Sequence, residues 1–111
     1  MDINARIAKI ADNRTRELVA LRRQLHQHPE LAFEEHETAK AVGAFLGKLG
    51  VKYKTGVGKT GVVAVIEGTK PGPTVGIRAD MDALPIHEET GLPFASKVPG
   101  RCMPAATTCI R

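Results

Sequence analysis

The stretch Gly76-Ile77-Arg78-Ala79-Asp80-Met81-Asp82-Ala83-Leu84-Pro85-Ile86 decides how the chain is read. Thr74 to Ala79 has the apolar, β-branched character of a strand and delivers Asp80-Met81-Asp82 at its carboxyl end. Alternate residues of a strand share a face, so the two carboxylates point the same way. Close carboxylates repel unless a cation or proton lies between them. Asp80 and Asp82 therefore suit a divalent-metal neighbourhood, as ligands or as groups that orient a ligating histidine. They equally suit plain turn chemistry, since Asp is common where strands end. Pro85 and Pro93 mark the following stretch as an ordered loop.

Working towards the amino terminus, Lys70-Pro71-Gly72-Pro73 is a turn. Before it, Val62-Val63-Ala64-Val65-Ile66 reads as a well-buried strand. Val51 to Val57 is a further strand, joined to it by a turn at Gly58–Gly61. The run Gly56-Val57-Gly58-Lys59-Thr60-Gly61 superficially resembles a phosphate loop. It lacks the required upstream glycine, having Tyr53 there, and a strand rather than a helix follows, so it reads as a hairpin turn.

Residues 3–28 repeat apolar side chains at helical spacing: Ile3, Ile7, Ile10, then Leu18, Leu21 and Leu25. Asp12-Asn13 is a candidate interruption, with Thr15 capping a new start. Pro29 ends the helix. Residues 35–49 form a second helix with an apolar stripe of Thr38, Val42, Phe45, Leu46 and Leu49. Glu34, Glu35 and Glu37 lie near its positive end, and Gly50 suits the left-handed position after its last turn. His26, His28 and His36 lie near Glu30, Glu34, Glu35 and Glu37, which are metal-ligand types. His26 and His28 diverge in direction on a helix, however, so the preferred reading is a helix terminus whose polar groups satisfy freed backbone. Helices on short buried strands give an α/β architecture.

Composition excludes several functions. Hydrophobic residues make up 42% and charged residues 25% of 111, ordinary for a soluble domain. No stretch approaches the ~20 apolar residues of a membrane span, and Met1 to Arg6 lacks a signal-peptide core, so a cytoplasmic protein without membrane partners is expected. The net charge of +4 is spread along the chain without interleaved aromatics, which argues against a nucleic-acid partner. A small, basic, non-catalytic binding module for nucleic acid or protein remains the alternative class, testable by salt-dependent affinity. Cys102 and Cys109 do not read as a disulfide framework.

Several segments together resemble one family. Leu25-His26-Gln27-His28-Pro29-Glu30-Leu31 with Glu35 and Thr38, then Gly61-Val62-Val63-Ala64, then residues 76–86, then Glu88-Glu89-Thr90-Gly91-Leu92-Pro93-Phe94-Ala95-Ser96, are similar to the hippurate-hydrolase-like N-acyl-amino-acid amidohydrolases of the M20 metallopeptidase group. The resemblance runs from about His26 to Arg101. It implies the amino-terminal part of the M20 catalytic domain: two helices, then about three strands of a mixed sheet, incomplete. Whole members are several times longer. It also implies metal-dependent hydrolysis of N-acyl amino acids, with Zn, Mn or Co as the metal and a homo-oligomer only for the full-length protein. Asp82 would lie beside the metal centre. Asp80 stands where related branches carry a metal-binding His. His26, His28 and Glu30 carry over as structural residues, with Arg78 a charge partner for the aspartates.

The family continues with Met-His-Ala-Cys-Gly-His-Asp-x-His-Thr, whose Cys and second His are metal ligands by resemblance. Cys102 to Arg111 does not contain it. Those ten residues can be encoded TGC ATG CCT GCG GCC ACG ACC TGC ATA CGN. Read from the third base, the same string gives His-Ala-Cys-Gly-His-Asp-Leu-His-Thr. A CGA codon for Arg101 completes the preceding Met. The expected organisation is therefore 1–101 as amino-terminal catalytic-domain sequence and 102–111 as an out-of-frame tail. Such a chain would retain none of the family's metal ligands, would lack the general-base glutamate, and would be inactive and marginally folded.

Overall fold

The computed structural model describes residues 2–103. Its elements are helix α1 (Ile3–Gln27), helix α2 (His36–Lys48), strand β1 (Tyr53–Val57) and strand β2 (Gly61–Ala64). The α/β character and both helices agree with the sequence reading.

α1 runs uninterrupted for 25 residues. Asp12-Asn13 does not break it, and Thr15 does not cap a new start. Instead Thr15 Oγ1 donates back to the Ala11 carbonyl at 3.0 Å, satisfying the hydroxyl within the helix. The stripe of Ile3, Ile7, Ile10 and Leu18 is exposed. Only the carboxyl end of α1 enters the body of the molecule, where His26 and Pro29 are buried. Pro29 stops the helix as expected, and the His28 N–H closes the last turn on the Leu25 carbonyl at 3.2 Å.

α2 packs across the β1–β2 hairpin. Gly43 in its middle lets the Tyr53 ring lie against the helix: a Cβ there would come within 2.8 Å of Tyr53 Cε2. The helix ends at Lys48, and Gly50 adopts φ +70°, the left-handed conformation expected after the last turn.

β1 and β2 pair antiparallel, with Tyr53 opposite Ala64, Lys54 opposite Val63 and Val57 opposite Gly61. The register shifts between Lys54 and Val57, where Gly56 has φ +73°. The phosphate-loop-like run is thus a hairpin turn. A hydroxyl on that turn fixes the hairpin to the rest of the molecule. Thr60 Oγ1 donates to Glu35 Oε2 at 2.5 Å, and both residues are buried. Beside it, Lys59 Nζ lies 4.7 Å from the centre of the Phe33 ring.

Two strand expectations are corrected. The second strand stops at Ala64 and leaves Val65 and Ile66 exposed rather than well buried. Thr74 to Ala79 forms no strand: Val75 is 81% and Ile77 95% exposed. β propensity describes fitness for a pleated, half-buried surface, and these residues find no neighbouring strand among the described residues to supply one. The sheet is accordingly a two-stranded antiparallel hairpin rather than three strands of a mixed sheet.

The remaining chain, 83–102, is irregular but anchored. The Ala83 N–H donates to the Glu30 carbonyl at 2.7 Å, and Lys97 N–H to the Gln27 carbonyl at 2.9 Å. Leu84 and Cys102 exchange two backbone hydrogen bonds of 2.9 and 3.0 Å. These contacts fold the segment back over the carboxyl end of α1.

Candidate functional site

The polar residues of the Leu25–Leu31 motif divide into three separate tasks. His28 Nδ1 lies 3.0 Å from the Gln24 carbonyl, closing the end of α1. Glu30 serves the other helix. Its carboxylate accepts hydrogen bonds from the Glu37 N–H at 3.0 Å, the Thr38 N–H at 2.6 Å and the Thr38 hydroxyl at 2.6 Å. The residue preceding α2, Glu35, makes no side-chain cap of its own. Glu30 therefore acts as a cap supplied from the preceding loop, satisfying N–H groups that the helix leaves free. Burial works against its ionisation. The Thr38 side chain and the backbone N–H groups of Glu37, Thr38 and His36 outweigh it, holding the carboxyl below its ordinary range.

His26 does something different. Its Nε2 sits 3.0 Å from both oxygens of Glu88, across 62 residues of sequence. The side chains are 2% and 3% exposed. Glu88 also accepts from the Thr90 hydroxyl at 2.5 Å and the Ser96 N–H at 2.7 Å. Desolvation pushes the Glu88 carboxyl upwards. The bonds from Thr90, His26 and Ser96 together with the His26 charge prevail and hold it low. Phe94 packs edge-on to His26 with ring centres 5.8 Å apart, and the Arg23 guanidinium covers Phe94 at 4.6 Å. Cys102 completes this node: His26, Glu88 and Cys102 present ligand-type atoms that all lie within 4.8 Å of one another. The Cys102 sulfur is engaged in a disulfide, contrary to the reading of the two cysteines from sequence.

The aspartates lie elsewhere. Asp80 is exposed and paired with Arg78 at 2.9 Å, the partner expected for it. Asp82 is partly exposed, just before the Ala83–Glu30 bond. Neither joins a convergent group of metal-ligating side chains among the described residues. They project from extended chain rather than from a strand end. A groove of about 500 Å³ between α1 and α2, lined by Leu25, His28, Thr38 and Ala44 among others, includes neither of them. The described residues thus gather no metal-ligating group around the aspartates, and most of 102–111, where the sequence reading placed the altered ligand motif, lies outside them.

Sequence reasoning missed Glu88 and the Glu35–Thr60 pair. Glu88 lay within a motif quoted for its resemblance, but nothing local connects it with His26.

No protein-family profile matches the chain. Individual relatives do. Thermostable carboxypeptidase 1 of Saccharolobus solfataricus is 52% identical over 84 residues, covering 75% of this chain and 21% of its own length. N-acetylcysteine deacetylase of Bacillus subtilis is 51% identical over 84 residues, covering 75% and 22%. Among solved structures, the Bacillus subtilis YXEP protein, a dinuclear metal-binding peptidase from the M20 family, superposes with a TM-score of 0.74 at 49% identity, covering 78% of this chain and 25% of that one. The chain thus spans about a quarter or less of the length of these relatives. Matched in sequence at about half identity and in backbone to part of such enzymes, the chain has M20 family amidohydrolases and peptidases as its relatives and corresponds to their amino-terminal portion.

Proposed function

We propose that the parent protein is a metal-dependent amidohydrolase cleaving N-acyl amino acids, with hippurate-like substrates included. The observation that carries this reading is the roughly half-identical sequence shared with both a deacetylase and a carboxypeptidase. Those two names have one bond in common. Each describes cleavage of an amide whose nitrogen belongs to an amino acid with a free carboxylate. A zinc, manganese or cobalt ion would supply carbonyl polarisation and a bound water of lowered pKa. Its ligands are proposed to lie in the metal-binding motif beyond Arg101, so no step is assigned to the described residues. Asp82 and Asp80 are proposed only as neighbours of the completed centre.

The tail 102–111 is read as an out-of-frame copy of the metal-binding motif, and the chain as written is read as inactive. The coding DNA tests the first part directly. If the bases after the Arg101 codon do not spell His-Ala-Cys-Gly-His-Asp in the shifted frame, the reading fails. The second part is tested by assaying the 111-residue chain and a frame-restored, full-length gene product with N-acetyl and N-benzoyl amino acids plus Zn²⁺, Mn²⁺ or Co²⁺. Hydrolysis is expected from the restored protein alone. Hydrolysis by the 111-residue chain would overturn the account of the missing ligands. A restored protein inert towards all N-acyl amino acids would overturn the substrate class.

A further inference from the structure

We propose that His26, Glu88 and Cys102 form a structural zinc site once the Cys102 disulfide is reduced. The three donors come from separate parts of the chain: the last turn of α1, the loop after Ile86, and the segment bonded to Leu84. Their ligand-type atoms lie within 4.8 Å of one another, and all three side chains are almost wholly buried. Nitrogen, carboxylate oxygen and thiolate are the donor types zinc takes.

Little movement is required. Tetrahedral zinc with nitrogen and oxygen ligands at roughly 2.0–2.2 Å separates those two atoms by roughly 3.4 Å. His26 Nε2 and the Glu88 oxygens are 3.0 Å apart, so the pair opens by roughly 0.4 Å to admit the ion. Thr90 and Ser96 already hold the Glu88 oxygens and would orient the ligating carboxylate. Charge also balances: one thiolate, one carboxylate and a neutral imidazole cancel the two positive charges, so no net charge is buried. The second Glu88 oxygen, also 3.0 Å from His26 Nε2, would take the fourth position and close the site as a structural ion requires.

The steps balance. Two equivalents of a small thiol reduce the disulfide, leaving the Cys102 thiol, its partner thiol and one oxidised reductant molecule. Zinc then displaces two protons to solvent, the Cys102 thiol proton and the Nε2 proton that His26 donates to Glu88, leaving a neutral imidazole with its proton on Nδ1 and Nε2 free to ligate. Metal binding is thereby gated by the redox state of Cys102. The site is separate from the hydrolytic reading, because restoring the frame would place Met at position 102.

The test uses the 111-residue chain with Co²⁺ as the probe. After reduction, with released thiols counted, one equivalent of Co²⁺ is expected to give a sulfur-to-cobalt charge-transfer band and tetrahedral d–d absorption. The oxidised chain is expected to give neither. His26→Gln and Glu88→Gln should each weaken binding by about tenfold or more. Glu30→Gln, which weakens the start of α2 without a side-chain contact to these three groups, should keep the band. In the unmutated chain, zinc should slow alkylation of Cys102, located by mass spectrometry. Absence of the band with both thiols free overturns the proposal. So does a band undiminished in both His26→Gln and Glu88→Gln, an equal loss in Glu30→Gln, or protection confined to Cys109.

Discussion

Replacing Glu30 by Ala removes the acceptor of three hydrogen bonds at the start of α2. The cost depends on which donors water can reach. Glu37 is exposed, so its N–H is rehydrated at little cost. Thr38 is 4% exposed, and both its N–H and its hydroxyl lose their partner in a nearly dry place. A buried donor left without a partner costs about 1–3 kcal/mol. The lower end applies here, because the space vacated by the carboxylate admits solvent. Two such donors cost about 2 kcal/mol. Loss of a negative charge at the positive end of the helix adds about 0.5 kcal/mol. Glu30→Ala is therefore expected to lower stability by about 2–3 kcal/mol. Glu30→Gln keeps one acceptor oxygen and should cost about half as much.

The pH dependence gives this prediction its sign. The folded-state pKa of Glu30 is lowered from an ordinary value of 4.5. Its contribution is thus fully present above about pH 4.5 and is lost as the pH falls through the lower folded value. Urea unfolding followed at the helical circular-dichroism band, at pH 7 and again near pH 3, measures both effects. The gap between wild type and Glu30→Ala should shrink towards the Gln value in acid. A gap below about 0.5 kcal/mol at pH 7, or one of equal size at both pH values, would refute the capping role; a lost cap ordinarily costs about 0.5–2 kcal/mol.

Glu88→Gln should cost about 1–3 kcal/mol by weakening a buried, charge-assisted pair, and should expose 84–102 to limited proteolysis before α2 unfolds. Because the folded Glu88 carboxyl is also held low, this difference should fade on acidification below about pH 4.5, read as a loss of protease protection in wild type. Thr60→Val leaves the Glu35 carboxylate buried without its donor and should cost about 2 kcal/mol, measured as a shift in urea midpoint. Gly61→Ala places a Cβ 2.4 Å from the Val57 carbonyl oxygen, backbone that no side-chain rotation can relieve. It should open the hairpin at a cost of about 1–3 kcal/mol, seen as faster amide exchange at residues 53–64.

What the sequence revealed is what its local physics controls. The α1 and α2 patterns, the stop at Pro29 and the left-handed Gly50 each follow from residues within a turn or two of one another. The hairpin was legible because Gly56, Gly58 and Gly61 bracket a turn between β-branched runs. The partners of Glu30, Glu88 and Thr60 were not legible individually. Composition near a helix end says that polar groups will meet freed backbone there, and Glu30 obeys that rule. It does not say that Glu88, 62 residues distant, will be the group that meets His26.

The aspartates show the same division at the place where function was sought. Their reading as a paired, metal-facing set depended on Thr74–Ala79 being a strand, because only a strand fixes alternate side chains on one face. Yet a strand is a pairwise object: its backbone donors and acceptors require a neighbour. Without one among the described residues, Ile77 is exposed and Asp80 settles on the nearest cation, Arg78, at 2.9 Å. A solvent-exposed pair of this kind contributes about 0–1 kcal/mol, too little to hold a carboxylate against a metal or a new strand neighbour.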